Sequence, residues 1–171
     1  MNIFYLDEDP KMSAQWQCDK HVVKMILESA QLLSTAHREL DGDDWGDEVG
    51  LYKSTHKNHP SAVWARSSKP NYDWLYDHFC ALCDEYRYRY GKEHLTWRKF
   101  SDVLDYAPPS ILHTKFEAPP QCMPDPYKHS MTVKAYRNYY TLDKSTKEWF
   151  CYKKGRCRPW WLSTGGSFYA K

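Results

Sequence analysis

A long amphipathic pattern in the first quarter of the chain restricts the fold more than any other sequence feature. Ser13 is a residue type that caps helices, and it precedes this pattern. Apolar or small side chains then recur at the 3.6-residue spacing of an α-helix, at Val22, Met25, Ile26, Ser29, Leu33, Ala36 and Leu40. Such a stripe must be buried against other elements. The sequence therefore predicts a helix over residues 13–40 in a mainly α protein.

Proline and glycine divide the rest of the chain. Pro60 can occupy the first turn of a helix, Pro70 should kink or restart it, and Gly91 should stop the following helix over 71–90. Shorter helices are predicted over 96–105 and 132–140. The acidic segment 41–50 and the proline-rich segment that ends at residue 126 predict irregular chain. With 171 residues, the expectation is a compact single-domain helical protein, residues 1–171, with long irregular connections.

Several protein classes are disfavoured by composition. The first ten residues turn acidic and lack the basic region of a signal peptide. No apolar run approaches the roughly 20 residues of a membrane span. Six cysteines without a secretory signal indicate reduced thiols and a cytoplasmic protein. Their spacing matches no common zinc module, so no metal or other cofactor is expected.

Basic and aromatic residues are concentrated at the C-terminal end. Residues 128–171 contain ten Lys or Arg against two acidic residues, although the whole chain carries a net charge of only +2. Within this segment, "YRNYY" and "YKKGRCRPWW" interleave Arg and Lys with aromatic rings, a pattern suited to phosphate contacts and base stacking. The prediction is a nucleic-acid partner. The alternative is a basic segment that serves solubility, with its tryptophans in the core.

The helix over 13–40 has a polar side of unusual composition. His21, Lys24 and Glu28 fall there together, within a narrow arc. A carboxylate flanked by cationic groups can act as a general base or stabilise a developing cation. The alternative is an ordinary surface ion pair between Lys24 and Glu28, worth a few tenths of a kcal/mol.

Two histidines precede Pro60 in the motif His56-x-x-His59-Pro60. Asn58 and His59 are positioned to cap the following helix, or to hydrogen-bond a phosphate at its N-terminus. The i, i+3 spacing of the histidines also admits a metal site, and with it a metal-dependent phosphodiesterase. All three interpretations remain open at this stage.

The amino terminus is itself a candidate reactive group. The apolar run "NIFYL" begins at residue 2, so the α-amino group of Met1 should lie close to a folded element. An α-amine is less basic than a lysine side chain, and more of it is a neutral nucleophile at neutral pH.

These features together resemble the phage pyrimidine-dimer DNA glycosylases of the endonuclease V type. The resemblance is carried by the immediate start, the long first helix, the basic aromatic C-terminal segment, and the pattern Asp-x-His followed by Glu, here Asp19, His21 and Glu28. "NHPSAVW" and "FCALCDEYRYRYGKEH" are similar to segments of small bacterial proteins loosely attached to that family. The family is helical and single-domain, which agrees with the fold expected from the residues.

The resemblance implies a base-excision enzyme, a glycosylase with AP-lyase activity on damaged or modified pyrimidines. Its terminal amine would attack the sugar C1′ and form a Schiff base, with Glu28 as the essential carboxylate and His21 as an active-site histidine. The phage family has a small second residue and loses its initiator Met, whereas Asn2 is large, so the amine here would belong to Met1. The partner would be duplex DNA in a bacterial or phage-infected cell. The predicted DNA contacts are Lys20, Lys24, Asn58, His59, Arg66, Arg137, Lys153, Lys154, Arg156 and Arg158. The alternative is a phage-type protein that binds nucleic acid without cutting it.

Overall fold

The structure is a computed structural model, and it describes residues 1–162. Within this range there are seven α-helices, two short 3-10 helices and no β-strand, which confirms the mainly α prediction. The α-helices are α1 (Pro10–Gln15), α2 (Asp19–Asp41), α3 (Asp43–Glu48), α4 (Pro60–Ser67), α5 (Lys69–Tyr90), α6 (Leu95–Leu104) and α7 (Thr132–Leu142), and the 3-10 helices are Asp125–Tyr127 and Lys144–Thr146.

The two longest helices, α2 and α5, pack against each other and form the centre of the molecule. Helices α4 and α6 each contact both of them, and α1 lies on α5. The predicted apolar stripe of α2 is buried from Val22 to Ala36, whereas Leu40 is only partly covered. Leu75, Phe79 and Leu82 of α5 are fully buried opposite. The hydrophobic periodicity thus identified the core face of α2.

The predicted helix over 13–40 was wrong in one respect, because the chain is divided there into α1 and α2. Asp9 caps α1, its Oδ1 accepting from the Lys11 amide at 2.7 Å, and Pro10 stands in the first turn. The helix ends after Gln15 and restarts at Asp19. Ser13 does not cap a helix. Its buried hydroxyl donates to the Phe4 carbonyl and accepts from the Leu6 amide, both at 3.1 Å, so it fastens the N-terminal segment to α1.

Further along the chain, proline and glycine mark helix boundaries as predicted. Helix α4 ends before Ser68, whose hydroxyl accepts from the Asn71 amide and caps α5, with Pro70 in the first turn. Gly91 ends α5 in the left-handed region at φ 63°. The acidic segment 41–50 is not all loop, since α3 lies within it.

Helix α3 is held by an arginine of α2. The buried guanidinium of Arg38 contacts the carboxylates of Asp43 at 2.7 Å and Asp47 at 2.8 Å. The same guanidinium donates to the carbonyl of Tyr52 at 2.7 Å. The acidic residues therefore fold around a cation contributed from outside their own segment.

The C-terminal segment contributes to the core as well as to the surface. Tyr136 and Tyr140 of α7 are fully buried, and Phe150 is 5% exposed. The rings of Tyr136 and Tyr140 pack on Phe4 of the N-terminal run, and Phe150 packs on Tyr140. The predicted turn at Gly165 and Gly166 lies outside the described residues. Along the part of the chain that is described, no helix combines the length and apolar character that crossing a membrane requires.

Candidate active site

The first residues of the chain are held by the side chain of Asn2. Its Oδ1 accepts from the amides of Ile3 at 2.8 Å and Phe4 at 3.0 Å, and its Nδ2 donates to the Cys122 carbonyl at 2.9 Å. Phe4 has a positive φ of 56°, which for a residue with a side chain requires support from its surroundings. That support includes the ring of His21, stacked on Phe4 with centroids 4.2 Å apart. The chain therefore begins in a fixed position beside α2.

Glu28 of α2 lies where the chain begins. The backbone amide of Asn2 donates to its Oε2 at 3.0 Å, and the Lys24 ammonium lies 3.2 Å from its Oε1. The Glu28 side chain is only 13% exposed, whereas that of Lys24 is 61% exposed. The carboxylate is thus shielded from most water and has nitrogen atoms on both sides. A group in this position can accept a proton or stabilise a neighbouring positive charge.

His59 approaches the same place from the loop before α4. Its Nδ1 accepts from the Ser61 amide at 3.2 Å, which caps α4 and confirms the capping interpretation. Desolvation lowers the pKa of His59, the positive charge of the amino terminus lowers it further, and the negative charge of Glu28 raises it. Both charges therefore act on the imidazole. His56, in contrast, shares a hydrogen bond of 2.8 Å with the neighbouring Thr55 hydroxyl.

His21 lies on the same helix as Glu28 but is buried, with 5% of its surface exposed. Its Nδ1 shares a 2.5 Å hydrogen bond with the hydroxyl of Tyr140. Desolvation, followed by the positive charges of Lys144 and Lys24, lowers the pKa of His21 to about 3. The imidazole is consequently neutral at physiological pH and forms part of an aromatic cluster with Phe4.

A family model for pyrimidine dimer DNA glycosylases matches residues 1–99, more than half of the chain. The chain belongs to this family. The matched range includes the N-terminal segment, Glu28 and His59, and ends within α6. No curated protein and no solved structure matches the chain significantly. Membership supports a DNA glycosylase function in DNA repair, with DNA as the substrate.

Apart from His59, the predicted DNA contacts fall into two groups. Exposed side chains make up the first, comprising Lys20, Lys24, Asn58, Lys153, Lys154 and Arg158. Two of these ammonium groups lie over aromatic rings, Lys20 at 4.8 Å from the Trp149 centroid and Lys154 at 5.5 Å from that of Tyr90. Lys20 and Lys24 precede Glu28 by two turns and one turn of α2.

Arginines that bind other parts of the glycosylase itself make up the second group. Arg137 donates to the Leu6 carbonyl at 2.9 Å and pairs with Asp7 at 3.1 Å. Arg156 is half-buried against the carboxylate of Glu85 at 2.5 Å. Arg66 is partly buried and donates to the Lys57 carbonyl at 2.7 Å. These guanidinium groups hold the fold around the site in the absence of DNA.

A buried ion network positions the start of α2, and no sequence signal indicated it. The Asp19 carboxylate pairs with Arg89 at 3.1 Å and accepts from the Lys153 amide at 2.6 Å. Arg89 also pairs with Glu85 at 2.9 Å. The i, i+4 spacing of Glu85 and Arg89 was visible in the sequence, but their partner lies 66 residues or more away. Asp19 therefore orients the helix that carries Glu28.

No group of three or more His, Cys, Asp or Glu side chains suited to a metal ion occurs within residues 1–162. The six cysteines, all within this range, are free thiols. Burial raises the pKa of Cys80 to about 11, so its thiol is protonated at neutral pH.

Proposed function

We propose that the chain is a DNA glycosylase with AP-lyase activity on damaged or modified pyrimidines, and that it acts through the amine of Met1 and the carboxylate of Glu28. The observation that carries this proposal is the 3.0 Å contact between the Asn2 amide and Glu28 Oε2. Adjacent backbone nitrogens are about 3.6 Å apart or less by covalent geometry. The Met1 nitrogen is therefore within about 7 Å of the carboxylate, a gap that one deoxyribose can bridge.

The reaction starts when the neutral amine donates its lone pair to C1′ of the target nucleotide. The C1′–N1 bond breaks, and the pyrimidine leaves with the bonding electrons and takes a proton from solvent. The C1′–O4′ bond then opens, its oxygen is protonated, and an imine forms between C1′ and the Met1 nitrogen. Glu28 stabilises the positive charge on the sugar while the base leaves.

Strand cleavage follows from the imine. Glu28 accepts a proton from C2′, the electrons of that C–H bond form a C1′–C2′ enamine, and the 3′ phosphate leaves with the electrons of the C3′–O bond. Hydrolysis of the imine returns the free amine. Every step uses groups of this chain, DNA and water.

Binding to DNA depends on the exposed basic groups near this carboxylate. Lys20 and Lys24 are placed to contact phosphates on either side of the target nucleotide, while Lys153, Lys154 and Arg158 extend the basic surface. Asn58 approaches from the α4 side. His21 supports Glu28 indirectly, because its ring packs on Phe4 and fixes the N-terminal segment. The target nucleotide must be extruded from the duplex, at a cost of a few kcal/mol.

Lys24 is a competing nucleophile, since its Nζ lies 3.2 Å from Glu28 Oε1. A lysine amine can also form a Schiff base. The Lys24→Arg variant keeps the charge but removes this option. Mapping of a trapped adduct distinguishes residue 1 from residue 24.

Borohydride trapping tests the proposal. The protein is mixed with duplex DNA that carries an abasic site or a cyclobutane thymine dimer, reduced, and examined by mass for a covalent adduct. We expect an adduct at residue 1 that is lost when the amine is blocked and retained in Lys24→Arg. Glu28→Gln should lower turnover by at least about 100-fold and leave DNA binding intact.

The matched control is Glu48→Gln, since Glu48 is an exposed glutamate on α3. It should behave as the wild type. DNA binding without any adduct would identify a non-catalytic binding protein instead. Strand cleavage that chelation abolishes, again without an adduct, would favour a metal-dependent phosphodiesterase that uses His56 and His59.

A further inference from the structure

His59 is connected to the beginning of the chain by a short series of contacts. The hydroxyl of Ser61, two residues after His59, lies 3.4 Å from the thiol of Cys122. The carbonyl of Cys122 accepts from the Asn2 side chain at 2.9 Å. The Asn2 amide in turn contacts Glu28. The first turn of α4 and the two groups proposed to act on the sugar therefore surround one small region.

The cap of α4 determines which ring nitrogen of His59 carries the proton. Because Nδ1 accepts from the Ser61 amide at 3.2 Å, the proton of the neutral imidazole is on Nε2. The lowered pKa of His59 keeps the ring neutral at physiological pH. Within residues 1–162 the ring makes no other hydrogen bond. Nε2–H is consequently a neutral donor whose direction is fixed and whose acceptor is not supplied by the described chain.

We propose that His59 Nε2–H donates a hydrogen bond to the carbonyl oxygen of the departing pyrimidine; this inference rests on the proposed function. When the C1′–N1 bond breaks, its electron pair is delocalised from N1 onto the adjacent carbonyl oxygen. A fixed donor at that oxygen stabilises the charge as it develops. The final proton of the base comes from solvent, so His59 itself is not consumed.

A base contact suits His59 better than a phosphate contact. The exposed ammonium groups of Lys20 and Lys24 on α2 already provide full positive charge for phosphates. A neutral imidazole adds little to such a contact. It also does not form an ion pair with Glu28, and it therefore leaves the carboxylate available to the sugar.

Two substitutions of His59 separate its role as the N-cap of α4 from its role as a hydrogen-bond donor through Nε2–H. In His59→Asn, the short side chain still caps α4, because asparagine is among the best N-cap residues, but the distal donor is lost. In His59→Gln, the amide nitrogen can reach the position of Nε2. Thermal unfolding of both variants checks that the fold is kept.

Single-turnover cleavage of the glycosidic bond is measured on duplex DNA with one cyclobutane thymine dimer, as the thymine that photoreversal of the cyclobutane ring then frees. Borohydride trapping is measured on duplex DNA with a preformed abasic site. His59→Asn should lower the rate of base release about 10- to 100-fold and change trapping less than about twofold, because no base leaves from an abasic site. His59→Gln should recover a large part of the lost rate.

Two other outcomes would contradict the role of His59, and a third would contradict the amine mechanism. Equal losses on both substrates would assign His59 to phosphate binding or to structure, and an unchanged rate of base release in His59→Asn would exclude the base contact. Either result leaves the proposed function intact. If the wild type forms no adduct on abasic DNA, the amine mechanism itself fails.

Discussion

At the scale of single residues, the side chain of Asn2 determines where the amine of the chain lies. It makes three hydrogen bonds, to Ile3, Phe4 and Cys122, and its own backbone amide makes a fourth to Glu28. A nucleophile at a free chain end is effective only if its position is restricted before the substrate binds. In the proposed mechanism, the hydrogen bonds of Asn2 supply this restriction.

Asn2→Ala should therefore slow adduct formation on abasic duplex DNA by about 10- to 100-fold, since a displacement of about 1 Å can cost 100-fold. DNA affinity should stay within about twofold, because Asn2 carries no charge and is not a predicted DNA contact. A time course of borohydride trapping measures the first quantity, and fluorescence anisotropy the second.

The control for Asn2→Ala is Asn138→Ala on α7, which removes one long hydrogen bond of 3.5 Å to the Tyr127 carbonyl. It should trap at the wild-type rate. Trapping by Asn2→Ala at the wild-type rate would show that the side chain does not position the amine.

Helical periodicity predicted part of the candidate site and could not predict the rest. It placed Lys24 and Glu28 one turn apart, and they form an ion pair of 3.2 Å. It also placed His21 on the polar side of α2, whereas His21 is buried under Phe4 and Tyr140. Those rings come from the N-terminal run and from α7, so the burial depends on contacts between distant segments that spacing does not encode.

At the scale of elements, the orientation of α2 depends on charges buried at its first residue. The side chain of Arg89 is fully buried, and it binds Asp19 of α2 and Glu85 of α5. Removing one member of a buried ion pair leaves the other charge without compensation. The network therefore joins α2 to α5 and makes the position of Glu28 sensitive to a residue of another helix.

Arg89→Met should lower the free energy of unfolding by about 3–5 kcal/mol, since Asp19 loses its buried partner, whereas Glu85 keeps its contact with Arg156. The matched control is Lys69→Met, which removes the i, i+4 pair with Asp73, both side chains being 40% or more exposed. That substitution should cost less than about 1 kcal/mol. Urea unfolding followed by tryptophan fluorescence measures both, and equal effects would contradict the role of the network.

Element boundaries were predicted well where proline, glycine or a capping residue marks them. Gly91 ends α5 and Pro70 accompanies its start, as the sequence indicated. The division between α1 and α2 was missed, because the prediction began one helix at Ser13 although its apolar stripe begins only at Val22. Helix α2 begins at Asp19, which forms an ion pair with Arg89. Helix α3 forms where Arg38 pairs with Asp43 and Asp47. The start of α2 and the formation of α3 both depend on tertiary ion pairs, which local helix propensity cannot predict.

At the scale of the whole molecule, only some of the basic side chains of the C-terminal segment are available to bind DNA. Arg137 and Arg156 are paired with Asp7 and Glu85 and hold the C-terminal segment on the helical body. Lys153 and Lys154 remain exposed. Composition predicted the basic segment but not this division, since it depends on which acidic groups lie opposite after folding.

Two buried histidines connect the stability of the whole fold to pH. Desolvation lowers the pKa of His21 to about 3 and that of His78 to about 4, against an ordinary value of 6.5. Since both values are lowered in the folded state, protons bind preferentially to the unfolded chain. The stability contributed by the neutral imidazoles is complete above pH 6.5 and decreases as the pH falls from there towards 4.

These two histidines should therefore lower the free energy of unfolding by up to about 2.7 kcal/mol per pH unit in this window, 1.36 kcal/mol for each. Urea titrations at pH 7, 6 and 5 measure this slope. In His21→Gln the slope should fall by up to about 1.4 kcal/mol per pH unit, the share of one histidine, whatever the absolute stability of the variant, while substitution of the exposed His113 should leave it unchanged. A slope that is the same in His21→Gln and the wild type would mean that His21 is protonated without unfolding, and the aromatic cluster with Phe4 and Tyr140 would then tolerate a buried charge.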